Sequence, residues 1–432
     1  MDKFGFDEVT SSAGDVQQDA VGSLLTTGGM MDGTDSATAR HEDEAKRNPN
    51  GTADVIDRKG FVGETVYLAE VCHPTQWKTL PTSELLDEGF PVYGANGIIG
   101  YYSEYNHENP VVAITCRGAT CGTVNITMPK AYVTGNAMCL DDVRRDINIY
   151  YLFYAVKAMD YTNIISGSAQ PQITRRGLSK AKIKVIDSKN QKVVVETLQK
   201  IEGLIGLRKQ QLEQLDTLIK ARFVELFGDL ANPECKWDRE RIVDICVKAD
   251  DIKCGPFGTQ LNKDEYQKTG VAVWEIPQIN SIFTEFPTHF LTEEKAEQLN
   301  AYSLIPGDIA MSRKGNVGRC AVFPEDYEPG IIHSDVLRIR VNQKKVLPIF
   351  MMNQLHFSGA VQHQISLVSS GAIMAGINVT KLKEILVHIP PIEIQEQFAD
   401  FVAQINKLKV EVQKSLDKMQ ILFDSLMQEY FG

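Results

Sequence analysis

An internal repeat constrains the fold of this chain more than any other feature. Residues 173–228 align without gaps onto residues 377–432 at a fixed offset of 204, and ten of the 56 aligned positions are identical. Both copies end in the same Glu-x-Phe-Gly tetrapeptide. Self-similarity of this kind indicates repeated structural units, so we expect two equivalent halves related by a pseudo-twofold axis.

Each copy of the repeat carries a heptad stripe typical of a long helix. Apolar residues recur at alternating spacings of three and four, a pattern that buries a narrow seam against another helix. The seam is predicted to contain Leu198, Ile201, Ile205, Leu212, Leu215 and Ile219 in the first copy and Val402, Ile405, Val412, Leu416, Met419 and Phe423 in the second. We predict that the two helices pair with each other in antiparallel orientation. The alternative is two amphipathic helices packed on separate cores.

The stretch before each helix shows strand and turn signals rather than helical periodicity. YGANGIIGYY (93–102) predicts a hairpin with Asn96-Gly97 as a type I′ turn. The fold class is therefore predicted as α+β, with two mixed α/β domains alternating with two long helices that form an antiparallel coiled coil. The predicted boundaries are 1–60 for a disordered acidic tail, 61–190 for the first domain, 191–232 for the central helix, 233–388 for the second domain and 389–432 for the C-terminal helix.

Composition and motifs argue against several classes of protein. No stretch approaches the roughly 18 apolar residues of a membrane span, and the start of the chain lacks the pattern of a secretory signal, so a cytoplasmic location is expected. The eight cysteines form no C-x-x-C pair, and the eight histidines are scattered singly. We find no phosphate-binding loop, no dinucleotide fingerprint and no amino-methyltransferase tetrapeptide. The sequence therefore predicts neither a metal site nor a catalytic centre.

The net charge of −11 does not favour binding to nucleic acid, but it is unevenly distributed. Residues 1–60 hold twelve acidic and six basic side chains, whereas residues 61–190 hold twelve of each. A positively charged patch is therefore compatible with the mildly acidic remainder.

A short glycine motif with a basic residue recurs in the two globular stretches. Aligning TCRGATCGTV (115–124) with MSRKGNVGRCAV (311–322) brings Arg117 onto Lys314 and two glycines onto two glycines. Glycine allows close backbone approach, and the adjacent Arg or Lys can reach a phosphate or a guanine edge. A tight turn with a solvated charge is the alternative interpretation.

A basic run ends the first globular stretch. It comprises Arg175, Arg176, Lys180, Lys182, Lys184 and Lys189, opposed only by Asp187. Such a run suits phosphate contacts, although a solvated surface is an equally common use. The second copy has only Lys381 and Lys383 here, beside Glu384, so the two halves are expected to hold DNA unequally.

From about residue 64 to residue 432 the sequence resembles the specificity subunits of type I restriction–modification systems. The resemblance rests on PVYGANGIIGYYSEY (91–105), QPQITRRGLSKAKI (170–183), CGPFGTQLNKDEY (254–266), PGDIAMSRKGNVGRCAV (306–322) and GINVTKLKEILVHIPPIEIQEQF (376–398). The first copy departs from it at the junction of domain and helix, where VIDSKNQ (185–191) stands in place of IPPIEIQ (389–395).

The resemblance implies a non-catalytic DNA-reading subunit. Each domain would be a target-recognition domain for one half of a bipartite site in double-stranded DNA. The helices would set the spacer and dock two methyltransferase subunits, which would carry S-adenosylmethionine, and an endonuclease/translocase subunit would join them. No cofactor and no membrane contact are expected for this chain itself. The candidate DNA-binding residues are Asn96, Arg117, Gln172, Arg175, Arg176 and Lys180 in the first domain and Thr259, Gln260, Lys263, Arg313, Lys314 and Arg319 in the second.

Two other functions remain open from the sequence. One is a coiled-coil adaptor that binds proteins but no DNA, which the acidic balance favours. The other is an enzyme with an unrecognised centre in one of the globular domains.

Overall fold

A computed structural model of the chain describes residues 62–167, 170–232, 234–369 and 376–432. The predicted disordered tail, residues 1–60, lies outside the described residues. Within the described ranges, none of the helices combines the length and the apolar character that crossing a membrane requires.

The first globular domain is built on two small sheets. Its elements in chain order are β1 (Glu64–Tyr67), β2 (His73–Thr75), β3 (Phe90–Gly94), β4 (Gly97–Tyr102), β5 (Val112–Thr115), β6 (Val124–Ile126), β7 (Tyr132–Val133), β8 (Ala137–Asp141), α1 (Ile149–Lys157), β9 (Ile165–Ser166), β10 (Gln172–Ile173), α2 (Arg175–Ser179) and β11 (Lys182–Val185). One sheet has the antiparallel order β2-β8-β5-β6, and the other has the order β4-β3-β7 with β3 and β7 parallel. Strand β1 pairs with β11, which brings the two ends of the domain together.

The central helix α3 (Ser188–Phe227) follows directly. It begins three residues before the predicted boundary because the Asp187 carboxylate accepts hydrogen bonds from the backbone N–H groups of Lys189 and Asn190, each at 3.1 Å. It ends five residues before the predicted boundary, where Gly228 adopts a φ of 76° that favours glycine.

The second globular domain repeats the frame of the first with additions. Its elements are β12 (Asp238–Arg241), β13 (Ile252–Cys254), β14 (Val271–Trp274), α4 (Ile276–Asn280), β15 (Phe290–Leu291), α5 (Glu293–Gln298), β16 (Ser303–Leu304), β17 (Ile309–Ser312), β18 (Cys320–Val322), β19 (Gly330–Ile332), β20 (Val336–Ile339), α6 (Pro348–Phe357), α7 (Gly359–Ser369), α8 (Val379–Lys383) and β21 (Leu386–Ile389). The sheet order β13-β20-β17-β18 matches β2-β8-β5-β6, and the parallel pair β14/β19 matches β3/β7. Strands β15 and β16 widen the second sheet, and β12 pairs with β21 as β1 does with β11.

The C-terminal helix α9 (Ile392–Phe431) completes the repeat. Helices α2 and α8, strands β11 and β21, and helices α3 and α9 have boundaries that differ by the same 204 residues seen in the sequence. The two junctions that differ in sequence therefore have the same geometry.

Helices α3 and α9 pack against each other and run in opposite directions. Near the middle of the pair, the Lys409 ammonium lies 2.6 Å from the Asp216 carboxylate. Toward the C-terminal end of α3, the Phe223 ring lies 5.5 Å from Phe398, which is near the N-terminal end of α9. The predicted antiparallel coiled coil is present. All twelve side chains expected in its seam are buried or half-buried.

Each globular core takes side chains from both helices. The first core contains Leu198 near the start of α3 and Phe423 near the end of α9. The second contains Phe223 near the end of α3 and Val402 near the start of α9. The helices are thus part of both cores, and only about 21 Å of α3, from Ile205 to Ile219 at ~1.5 Å per residue, separates the two contact regions.

A buried glutamine fixes the angle between each domain and the helix that follows it. Gln191 accepts a hydrogen bond from the Asn148 N–H at 2.8 Å and donates to the carbonyls of Asp146 and Ile186. In the second copy the partners of Gln395 are the Leu347 N–H and the carbonyls of Lys345 and Pro390. Both glutamines are fully buried, which explains why this residue is identical in the two copies.

The hairpin around Asn96 is present, but the prediction of a type I′ turn is wrong. The pair Gly94–Gly97 closes the turn around Ala95 and Asn96, and of these residues only Gly97 has a positive φ, 95°. A type I′ turn needs positive φ at both central residues. Further along the hairpin the register shifts between Val92 and Tyr93, where Ile99 is the extra residue on β4, so a bulge follows the turn.

Candidate nucleic-acid interface

The first glycine motif forms an exposed loop between β5 and β6. Arg117 forms an isolated bridge with Gln172, and the Gly118 N–H donates to the Pro171 carbonyl at 3.1 Å. The φ angles of Gly118 and Gly122 are 90° and 94°, so the turn needs glycine at both positions. The loop is thereby fixed against the segment that leads into α2.

Three of the predicted DNA-binding residues line one cleft. Arg117, Gln172 and Arg175, together with Gln76, surround a cavity of about 330 Å³. The turn containing Asn96 is tied to the same sheet because the Thr115 hydroxyl donates to the Ala95 carbonyl. This surface combines guanidinium and amide N–H groups, which donate hydrogen bonds to phosphate oxygens and to base edges.

The other basic residues that were predicted in the first domain lie on α2 and just after it. Arg175, Arg176 and Lys180 are all exposed. The Lys182 ammonium instead lies 5.1 Å from the centre of the Tyr67 ring. The first three therefore extend the positive surface, whereas Lys182 already packs on an aromatic side chain.

The second glycine motif forms the equivalent loop between β17 and β18. Gly315 and Gly318 have φ angles of 70° and 88°, and Lys314 forms an isolated bridge with Gly376, which is 204 residues after Gln172. The alignment of Arg117 with Lys314 is therefore also a structural equivalence. The two basic side chains differ in their surroundings, however, because the Lys314 ammonium lies 2.7 Å from a carboxylate oxygen of Asp335.

Arg313 is partly occupied in holding the loops together. Its guanidinium donates to the carbonyls of Ile377 and Ser334, both at 3.2 Å, and lies 4.8 Å from the centre of the Phe257 ring. This arrangement gathers four segments of the second domain around one half-buried cation. These contacts hold the loop in position.

The remaining residues of the second set lie on two separate segments of the chain, one between β13 and β14 and the other just before β18. Gln260 is exposed, but its side-chain carbonyl accepts from the Tyr302 hydroxyl at 3.0 Å and from the Phe257 N–H. Arg319 donates to the Asn280 carbonyl at 3.0 Å. Thr259 and Lys263 are exposed on the same segment as Gln260.

Two residues at this interface carry no signal in the sequence, namely Asn136 and Asp335. Their backbone carbonyls accept hydrogen bonds from Cys116 at 3.0 Å and from Arg313 at 2.9 Å. Each therefore lies opposite the residue that precedes Arg117 or Lys314. Local sequence patterns do not reveal this pairing, since the partners are about 20 positions apart in the chain.

A polar cluster lies on another part of the first domain, around His107, Cys139 and Asp141, whose possible ligand atoms all lie within 4.8 Å of one another. The Asn106 side-chain oxygen accepts from the Val133 N–H, so the His107 Nδ1, 2.7 Å away, must be a donor. The other imidazole nitrogen, Nε2, lies 3.0 Å from Asp141. Both ring nitrogens are thus used in hydrogen bonds.

The same cluster perturbs two acid–base groups. Burial alone would raise the pKa of Asp141, but hydrogen bonds from His107, Trp77 and Thr75 outweigh it and lower that pKa. Burial raises the pKa of the Cys139 thiol well above its usual range, so this cysteine is protonated at neutral pH and is a poor nucleophile.

Comparison with known proteins identifies the family. A family model described as the type I restriction modification DNA specificity domain matches residues 63–217 and 236–418.

The chain belongs to the type I restriction–modification specificity subunits.

Relatives in this family align over different shares of the chain. The specificity subunit of the Escherichia coli type I restriction enzyme EcoprrI is 32% identical over 115 residues, which are 27% of this chain and 28% of that protein. The MjaVIII specificity subunit of Methanocaldococcus jannaschii is 22% identical over 305 residues, 68% of this chain and 71% of that protein. These proteins are specificity subunits, not methyltransferase or endonuclease subunits, in agreement with the prediction of a non-catalytic chain.

Solved structures show the same specificity-subunit fold. The type I S subunit from M. genitalium has a TM-score of 0.57 at 14% identity, covering 87% of this chain and 97% of that one. A chain from a structure on complex assembly and conformational transition of the type I R-M system has a TM-score of 0.52 at 15% identity, covering 86% and 97%. At these identities the likeness establishes the fold alone.

Proposed function

We propose that this specificity subunit reads a bipartite site in double-stranded DNA, one half with each globular domain. The observation that carries the proposal is the pair of equivalent loops, in which Arg117 and Lys314 follow equivalent strands and are flanked by glycines with positive φ. The backbone of the two domains repeats but the side chains on the two loops differ, which suits two DNA half-sites of different sequence. Groups that contact base edges provide specificity, whereas contacts to phosphates position the protein.

The first domain is proposed to make most of the phosphate contacts. The positions equivalent to Arg175, Arg176 and Lys180 are Val379, Thr380 and Glu384, at the common offset of 204. Glu384 also forms an ion pair with Arg241 at 3.4 Å. Because neutralised phosphates govern the salt dependence of DNA binding, salt is expected to weaken the hold of the first domain more than that of the second.

Helices α3 and α9 are proposed to set the spacer between the two half-sites. Both are 40 residues long, about 60 Å at ~1.5 Å per residue, and each is anchored at both ends in a globular core. Because each helix is fixed in both cores, its length sets the distance between the two domains.

The same helices are proposed to dock two methyltransferase subunits. Leucines that are identical in the two copies remain exposed outside the seam, namely Leu204 with Leu408 (46% and 53% exposed) and Leu218 with Leu422 (45% and 49%). Exposed apolar side chains that recur at equivalent positions suit two copies of one partner. S-adenosylmethionine would be bound by those partners, and an endonuclease/translocase subunit would join the assembled complex.

The proposal is tested by co-expressing the full chain with its methyltransferase subunit and sequencing the methylated bases. Methylation confined to one two-part motif is the expected result. Omitting the methyltransferase should abolish methylation, and the assembled complex should bind duplex DNA more weakly as salt rises. Binding that does not depend on DNA sequence or salt would refute the proposal and favour a protein adaptor.

A further inference from the structure

Asn136 and Asp335 occupy equivalent positions in the two domains. Each precedes the strand next to the glycine motif, β8 or β20, and the carbonyl of each receives a hydrogen bond from the residue before the motif's basic side chain. The strand pairs Thr115–Ala137 and Ser312–Val336 fix the same register on both sides.

The charges at these positions differ. In the second domain, Asp335 holds Lys314 in an ion pair at 2.7 Å, with side chains 27% and 42% exposed. In the first domain Arg117 and Asn136 are both exposed, and no described residue forms a side-chain hydrogen bond or ion pair with either. One basic group is therefore neutralised before DNA binds, whereas the other is available.

The Asp335 carboxylate is occupied by the Lys314 ammonium, which lies 2.7 Å from Oδ1, and its Oδ2 lies 3.9 Å from the His333 Nδ1. The third member of the set differs too, since Gln172 in the first domain corresponds to Gly376 in the second. At these positions the second domain thus lacks the amide groups of the first and has a carboxylate paired with its own basic side chain.

Resting on the proposed function, we infer that Asp335 determines the base specificity of the second domain by accepting a hydrogen bond from the exocyclic amino group of cytosine, on N4. A carboxylate accepts from such a group and repels phosphate oxygens. Along DNA without the site, Asp335 keeps Lys314 neutralised. At the correct half-site, the base amino group takes the carboxylate and Lys314 is released to contact the DNA. Asn136 is the neutral counterpart, whose amide both donates and accepts and therefore suits adenine.

Reciprocal substitutions test this inference in the full chain assembled with methyltransferase. Asp335→Asn and Asn136→Asp exchange the charge between the domains with little change in shape. The probes are a duplex containing the methylated site and one with both half-sites scrambled, titrated from about 50 to about 200 mM salt, plus pools in which one half-site at a time is randomised.

For Asp335→Asn we expect the plot of log affinity against log salt on the scrambled duplex to steepen by about 0.9, because one more cation meets a phosphate. Preference at one position of the second half-site should fall about five- to 150-fold, as expected when one base edge is no longer recognised. The first half-site should be unaffected, which also shows that the complex is folded. Asn136→Asp should flatten the same plot and alter only the first half-site. Adding Lys314→Met to Asp335→Asn should restore the wild-type slope.

An Asp335→Asn complex with unchanged slope and unchanged second half-site would overturn the inference, as would equal effects on both half-sites. Failure of the proposed function is distinguishable, because the wild-type complex would then show no bipartite motif at all.

Discussion

Lengthening both helices by one heptad should lengthen the spacer of the recognised site by about three base pairs. Residues 211–217 would be duplicated in α3 and residues 415–421 in α9, which are equivalent segments at the middle of the pair. Seven residues at ~1.5 Å add about 10.5 Å, or about three base pairs at ~3.4 Å each. A heptad preserves the seam, because the side-chain pattern returns to nearly the same face.

The DNA must also adapt, since three base pairs turn the second half-site by about 100° around the duplex. We therefore expect weaker binding together with the shifted optimum. The assay measures methylation, by sequencing, of a library of duplexes that differ in the length of the spacer. The spacer varies over about six base pairs, which is twice the expected shift. Duplication in α3 alone is the matched control. It lengthens only one of two helices that are both anchored in the two cores, so one domain loses its register with α9, and it should reduce binding without defining a new optimum. An active double-insertion complex that keeps the original spacer would refute the ruler role of the helices.

Three further predictions concern single side chains. Arg117→Ala should relax only the first half-site and Lys314→Ala only the second, by about 1–3 kcal/mol for each base edge that is no longer bound, as measured by competition with duplexes altered in one half. Gln191→Leu and Gln395→Leu should each lower the free energy of unfolding in urea by at least about 1–3 kcal/mol, because each leaves buried backbone groups without partners. Asp141→Asn should lower the melting temperature at neutral pH, and the deficit should shrink as the pH falls below about 4. A carboxyl whose pKa is lowered by folding stabilises the fold above its unfolded pKa and loses that contribution as it is protonated. Melting curves from pH 7 to pH 3 would show whether the two proteins converge.

The helical frame could be predicted because its signals can be read directly from the sequence. Heptad spacing depends only on residues near one another in the chain, and the repeat offset emerges when the sequence is aligned with itself. Both reappear in the boundaries of α3 and α9. The observed antiparallel direction corresponds to a pseudo-twofold axis perpendicular to the helices, because such an axis reverses the direction of one helix relative to the other. The first helix starts three residues before its predicted boundary and the second starts three residues after it, because Asp187 and Pro391 occupy the N-cap positions.

The reading surface was less predictable because it is assembled from distant segments. Arg117, Gln172 and Arg175 meet in one cleft because Arg117, just after β5, forms a bridge with Gln172 in β10. The basic motifs could suggest the two arginines as DNA contacts, but not that they lie together. Nothing local marks Asp335 as the partner of Lys314, since the contact depends on pairing between β17 and β20. Likewise, charge counting could not show that Arg313 is engaged by backbone carbonyls.

The two cores show why the globular segments are not independent modules. Phe423, from the last part of the chain, is buried in the first core beside Leu198, and Phe223 is buried in the second core beside Val402. Removing α9 would therefore expose apolar surface in the first domain, and removing α3 would expose it in the second. Because both domains depend on both helices, a change that loosens the seam should act on the two half-sites together. A change in one loop should act on one half-site alone, and this contrast separates effects on the frame from effects on reading.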